Sequence, residues 1–89
     1  MINSMRLEYD IREYNSMHLH QKAVILEETA IFIDHDLSHG ILYTLFFYHT
    51  YFIEVMVEHE SNNLLEIVAF YNGSKLNKYL DRIRLEDLL

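Results

Sequence analysis

Apolar residues recur at intervals of three and four across residues 15–37, which is the spacing of one face of an α-helix. Ser16 can cap the start of such a helix, and Gly40 can supply the left-handed residue just beyond its end. The pattern therefore predicts a long helix that ends shortly before Gly40. Its main apolar face consists of Leu19, Ala23, Leu26, Ala30, Ile33 and Leu37.

A second apolar set lies on another side of the same predicted helix. At about 100° per residue, Met17, Val24 and Ile31 project away from the first face, with Ile25 and Phe32 beside them. A helix that is apolar on two sides needs two neighbours, and one small sheet supplies only one. We therefore expect part of this helix to contact a second copy of the chain.

Three runs of strand length follow Gly40, each rich in β-branched and aromatic residues. The breaks between them, at His49-Thr50 and at residues 59–63, are short enough to join consecutive antiparallel strands. The sequence thus predicts a three-stranded antiparallel meander. The runs are ILYTLFFY at 41–48, YFIEVMVE at 51–58 and LLEIVAFY at 64–71.

Alternation along these strands gives the second face of the sheet a mixture of apolar and acidic residues. Glu54 and Glu66 interrupt otherwise apolar runs and could share this face. Paired carboxylates can perform acid–base chemistry if burial separates their pKa values. We favour the interpretation that they mark the solvent side and oppose edge-to-edge pairing. The apolar members of this face are Phe52, Met56, Val68 and Phe70.

The two ends of the chain complete the predicted fold. After a turn at Asn72-Gly73, Ser74 can cap a short helix with an apolar face of Leu76, Tyr79, Leu80 and Ile83. Residues 4–14 fit either a strand, which would add a fourth strand to the sheet, or a helix, which we favour. We predict a single α+β domain over residues 1–89. A long N-terminal helical region packs on a three-stranded antiparallel meander, and a short C-terminal helix follows.

The second half of the chain resembles small uncharacterised bacterial proteins that consist of a helix, a three-stranded meander and a short helix. The resemblance lies in YFIEV at 51–55, IVAF at 67–70, LNKYL at 76–80 and IRL at 83–85. It covers about half of the chain and concerns the fold, because no activity is attached to such proteins.

Composition and charge narrow the classes of function. The 89 residues include no cysteine, which excludes disulfides, and 51% are hydrophobic, which is ample for one core. The net charge of −7 opposes binding to nucleic acid and to anionic membranes, although a basic protein partner is allowed. The N-terminal residues lack a basic segment followed by an apolar run, so we expect no signal peptide and a cytoplasmic protein.

The stretch IDHDLSHG at residues 33–40 contains one pattern that could carry chemistry. On a helix, His35 and His39 would project from one face and could share a zinc ion, with Asp36 near a metal-bound water. No third ligand lies at a suitable spacing. We favour a polar helix end, where histidine interacts well with the helix dipole.

The preferred functional hypothesis is a non-enzymatic interaction or regulatory module that forms a homodimer and needs no cofactor. The surplus of apolar surface motivates it, because exposed apolar patches usually mark interfaces. One alternative is a metal-binding protein or hydrolase that uses His35 and His39. Another is an acidic inhibitor or immunity-type protein that binds a basic partner. The predicted interface consists of Val24, Ile31, Phe32, Phe52, Met56, Val68 and Phe70.

Overall fold

A computed structural model describes residues 8–80 and shows helices on a four-stranded antiparallel sheet. The strands follow one another in the order β1-β2-β3-β4, so the first and the last are the edge strands. The predicted α+β class is confirmed, whereas the predicted strand number of three is wrong. The elements are α1 (Ile11–Asn15), α2 (Leu19–Thr29), β1 (Ile31–Ser38), β2 (Ile41–Tyr48), β3 (Tyr51–Glu58), β4 (Leu64–Phe70) and a 3₁₀ turn (Ser74–Leu76).

The additional strand is β1, which the sequence pattern assigned to the long helix. The chain leaves the helical conformation at Ala30, where φ is −82° and ψ is 151°. Residues 31–33, Ile-Phe-Ile, are β-branched and aromatic, which favours an extended backbone. The spacing of Ala30, Ile33 and Leu37 therefore matches a helix by coincidence. The helical region is correspondingly short, and Ile31 and Phe32 belong to the sheet.

Gly40 forms a hairpin turn and does not end a helix. His39 and Gly40 both have positive φ, at 53° and 79°, as the two-residue turns of β-hairpins require. His49 has a φ of 57° in the two-residue connection from β2 to β3. The bounds of β2 and β3 match the prediction, and β4 ends one residue earlier than predicted.

Both chain ends fit the prediction in part. Helix α1 confirms the helical preference for residues 11–14, and it begins with a capping box in which Asp10 and Glu13 bond each other's backbone N–H. Residues 4–7 lie outside the described residues. The predicted C-terminal helix is represented among the described residues only by the 3₁₀ turn, and residues 81–89 lie outside them.

The core lies between the two α-helices and one side of the sheet, here called the helix-side face. Tyr14 is fully buried and packs against Tyr48 and Tyr51, with ring centroids 6.1 and 6.3 Å away. The hydroxyl of Tyr14 donates to the carbonyl of Lys22, and that of Tyr51 donates to the carbonyl of Tyr9. These phenols therefore bury large rings without leaving a polar group unpaired.

Side chains from the helical segment close the outer edge of β4. The amide of Asn15 donates to the carbonyl of Ala69 at 2.9 Å and accepts from its N–H at 2.8 Å. The ammonium group of Lys22 donates to the carbonyl of Ile67 at 2.8 Å. Asn15 thus takes the place of a fifth strand at one residue, which removes a template for edge-to-edge pairing.

We expect Asn15→Ala to lower the free energy of unfolding by about 1–3 kcal/mol, because it leaves both backbone groups of Ala69 unpaired at a partly buried position. Chemical denaturation would measure the loss. Gln21→Ala, at an exposed position of α2, is the control and should change stability by less than about 0.5 kcal/mol. Equal losses in the two variants would contradict the role of Asn15.

Stability should also fall at alkaline pH. Burial first, and then neighbouring tyrosines, raise the pKa values of Tyr14 and Tyr51 far above the ordinary 10.0. The folded state keeps these protons while the unfolded state releases them, so the stabilisation is complete below pH 10 and is lost as pH rises above it. Each tyrosine contributes a slope of about 1.4 kcal/mol per pH unit there.

Denaturation at a series of pH values would measure this slope, and tyrosinate absorbance would report the ionisation. Tyr14→Phe should reduce the slope by one proton, because it removes one of the tyrosines whose pKa is raised in the folded state. A slope that is unchanged in Tyr14→Phe would show that Tyr14 does not titrate with unfolding.

Candidate functional site

The most exposed large apolar side chains of the sheet lie on the edge strand β1. Ile31 is 65% exposed, Phe32 is 54% exposed and Leu37 is 53% exposed, and these three residues are called the β1 patch. Phe32 and Leu37 lie on the helix-side face, whereas Ile31 lies on the opposite side of the sheet, here called the far face. An edge strand with exposed apolar side chains on both faces is a surface suited to a partner.

The position of the helices explains why Phe32 and Leu37, the members of the β1 patch on the helix-side face, are exposed. Helix α1 packs on β4, and helix α2 packs on β4 and β2. The chain then passes directly from α2 into β1 through Ala30 alone. The helical layer is thus centred away from β1, so side chains at the β1 end of the sheet keep much of their surface in solvent.

The predicted interface residues are divided between the two faces and the helix. Val24 is exposed on α2, and Met56 and Val68 are half-buried on the far face. Four apolar residues form one row across all four strands of the far face, and the prediction contained three of them. The row consists of Ile31, Phe47, Phe52 and Phe70.

Phe47 is the member of this row that the prediction missed. Its ring meets that of Phe52 edge-on, with centroids 5.5 Å apart, and Phe52 stacks on Phe70 at 5.9 Å. A signal for Phe47 was present in the sequence. A two-residue connection at His49-Thr50 places Phe47 directly opposite Phe52.

A groove of about 320 Å³ lies between α2 and the helix-side face. Its described lining is apolar except for Glu27 on α2 and Thr44 on β2. Phe32 forms part of the wall, so the groove adjoins the β1 patch. The remaining lining residues are Ala23, Leu26, Ala30, Phe46, Val55, Leu64 and Ile67.

The far face contains a buried carboxylate, that of Glu54 in the middle of β3, which is 1% exposed. Its oxygens accept from the Tyr79 hydroxyl at 2.9 Å and from the Lys78 ammonium group at 2.6 Å, and Lys75 lies 3.7 Å away. These partners belong to residues 74–80, here called the C-terminal strap, which covers this part of the far face. The interpretation of Glu54 as a solvent-side residue is therefore wrong, although Glu66 is exposed as expected.

Lys78 and Tyr79 complete the surroundings of Glu54. The Lys78 ammonium group lies 4.3 Å from the centre of the Tyr43 ring, at a distance suited to a cation–π contact. Burial, and then the hydrogen bond to Glu54, raise the pKa of Tyr79 well above its usual value, so this phenol stays protonated and donates. The ion pair of Glu54 with Lys78 and the hydrogen bond from Tyr79 therefore have a structural role, because they attach the C-terminal strap to the sheet.

His35 and His39 do not have the helical geometry on which the zinc hypothesis depended. His35 lies in β1, and His39 lies in the turn that follows. In an extended strand, the Cα atoms of residues four positions apart are separated by roughly 13 Å. On a helix, the same two residues would lie one turn apart on one face. Asp36 points to the opposite face of β1 from His35. The interpretation of IDHDLSHG as a helix end is wrong for the same reason.

The hairpin ends bring His39 close to a different histidine. His39 and His59 line one cavity of about 390 Å³ together with Glu58 and Glu60, and the N–H of His59 donates to the carbonyl of Gly40. Even so, residues 8–80 contain no group of three or more histidine or acidic side chains placed to hold a metal ion. The metal-site hypothesis thus stays a prediction without support from the geometry of these residues.

Membrane insertion through a helix finds no basis in residues 8–80. None of the helices in this part of the chain is long and apolar enough to cross a bilayer. The uncharged run 40–53 forms β2 and the start of β3.

We expect Glu54→Gln to lower the free energy of unfolding by about 2–4 kcal/mol, because it removes the buried charge that pairs with Lys78 and Tyr79. Glu66→Gln is a matched control on the same face, since Glu66 is exposed, and should stay within about 0.5 kcal/mol of the original protein. Denaturation curves would compare the two. A loss at Glu66 equal to that at Glu54 would show that burial of Glu54 is not the cause.

Comparison with known proteins leaves function to be inferred from the geometry itself. No protein-family model, no curated protein and no solved structure matches this chain. The features available for that inference are the β1 patch, the groove beneath α2 and the buried Glu54 cluster.

Proposed function

We propose that the protein is a non-enzymatic interaction module that forms a homodimer through the β1 end of its sheet. The observation that carries this proposal is the β1 patch, in which Ile31, Phe32 and Leu37 are each more than half exposed on one edge strand. Isolated exposed apolar residues are ordinary, whereas a group on one strand is typical of an interface.

A second copy of the chain is the partner that this surface fits most simply. The patch is apolar and small, and a two-fold axis would bring it against itself without any further complementary surface. A specific interface buries about 800 Å² on each partner. That is roughly an eighth of the 6199 Å² surface of this chain.

Side-chain packing, and not pairing of backbones between two β1 strands, is the expected mode of contact. The register between β1 and β2 shifts at Ile33, which is a bulge in the edge strand. Asp34 and Asp36 lie on the far face of β1, and direct pairing would bring like charges from two copies together. Ile31, Phe32 and Leu37 remain as the contacting groups.

We expect Ile31→Ser and Leu37→Ser to shift the protein from dimer to monomer, with dissociation constants raised about tenfold or more for each substitution. The reason is that each substitution removes apolar area from the proposed contact. Sedimentation or light scattering over a concentration series would measure the change. Folding should be retained, because both side chains are more than half exposed.

Leu65→Ser is the matched control. Leu65 is 49% exposed, but it lies on β4 at the opposite edge of the sheet. This variant should dimerise like the original protein. A monomer at micromolar concentration in the original protein, or an equal effect of Leu65→Ser, would overturn the proposal.

A further inference from the structure

We propose that the groove between α2 and the helix-side face binds a small amphiphilic amine, with its hydrocarbon part against the sheet and its ammonium group at Glu27. The groove and the proposed dimer contact share Phe32, whereas Ile31 and Leu37 lie outside the groove. A cavity of about 320 Å³ is at the lower end of the roughly 300–1,000 Å³ that small-molecule sites occupy. The ligand is accordingly small.

The walls of the groove require an apolar body in the ligand. Leu26 and Ala23 form the side contributed by the helix, and Phe46, Val55 and Ile67 form the floor contributed by three neighbouring strands. These rigid elements hold the groove open, so a ligand would not need to order a loop in order to bind. Burial of the hydrocarbon part against these walls removes apolar surface from water, which favours binding.

Two polar groups at the groove have no partner among residues 8–80. The carboxylate of Glu27 makes no ion pair there, and the hydroxyl of Thr44 makes no side-chain hydrogen bond there. Both residues line the groove, one from the helix and one from the sheet. An ammonium group is a donor without an acceptor, so its chemistry suits a carboxylate and a hydroxyl that have no other donor.

Charge complementarity selects a cationic head group over an anionic one. Glu27 is the sole ionisable residue among the described lining residues, and the chain as a whole has a net charge of −7. The nearby Lys22 is engaged, because its ammonium group donates to the carbonyl of Ile67. A fatty carboxylate would meet repulsion, whereas an alkylamine of the same length would meet attraction.

Three probes of equal chain length separate these effects, namely n-octylamine, octanoate and n-octanol. We would titrate each into isotopically labelled protein at low ionic strength and follow the amide shifts by NMR. The expected result is saturable binding of n-octylamine, with shifts concentrated at residues 23–30 and at Thr44, Phe46 and Val55. Octanoate should bind about tenfold more weakly than n-octylamine, because the exposed carboxylate attracts one head group and repels the other.

Substitutions assign the two parts of the ligand to the groove. Glu27→Gln should bring the affinity for n-octylamine to within about twofold of that for n-octanol. Ala23→Leu should weaken n-octylamine and n-octanol alike by filling the groove, while Val24→Leu, an exposed neighbour on the same helix, should change neither. Glu27 is exposed, so its variant tests the proposal even if Ala23→Leu does not fold.

The same titration with the Ile31→Ser variant tests the groove site independently of the proposed homodimer, because Ile31 does not line the groove. Binding there with a monomer mass would support the groove site whatever the oligomeric state. The proposal is overturned if n-octylamine causes no saturable shifts, or if octanoate binds as tightly. Shifts centred on Ile31, Leu37 and Leu65, which are exposed outside the groove, would overturn it too.

Discussion

A carboxylate buried in the middle of a sheet needs a cation or hydrogen-bond donors beside it. Glu54 is such a carboxylate, and its partners determine what covers the far face. At 1% exposure its charge is tolerable only because Lys78 and Tyr79 reach it at hydrogen-bonding distance. The C-terminal strap is therefore fixed over the centre of the far face. The cation–π contact of Lys78 with Tyr43 extends the same attachment to β2. The apolar row that ends at Ile31 is the next row of far-face residues after the row that contains Glu54.

The other face of the sheet is organised by the helices, and their placement is asymmetric. Tyr14 anchors the helical layer on β2 and β3, and Asn15 and Lys22 attach it to the outer edge of β4. One edge strand is thus closed by side chains from the helices. The opposite edge, β1, carries instead a bulge, two acidic residues and an exposed apolar patch. This difference between the edges is the physical argument for the proposed homodimer, which would use one end of the sheet.

The same asymmetry produces the groove. Because α2 crosses the sheet towards β1 without covering Phe32, a space remains between the helix and three strands, with Glu27 at its margin. Thr44 places one hydroxyl among its apolar walls. The proposed dimer contact and the proposed ligand site therefore lie side by side.

The sequence by itself determined the α+β class, the bounds of β2 and β3 and most of β4, because strong β-branched and aromatic runs with short breaks allow little else. It also identified Ile31 and Phe32 as surplus apolar surface, although it placed them on a helix. Only the tertiary structure decided that residues 31–38 form a strand, because their spacing satisfies both periods and pairing with β2 selects the extended one. Tertiary structure likewise decided the burial of Glu54 and the position of His39 and His59 at one cavity. Both depend on contacts between segments that are distant in sequence. The hydrophobic periodicity of one segment does not indicate which other segment it will contact.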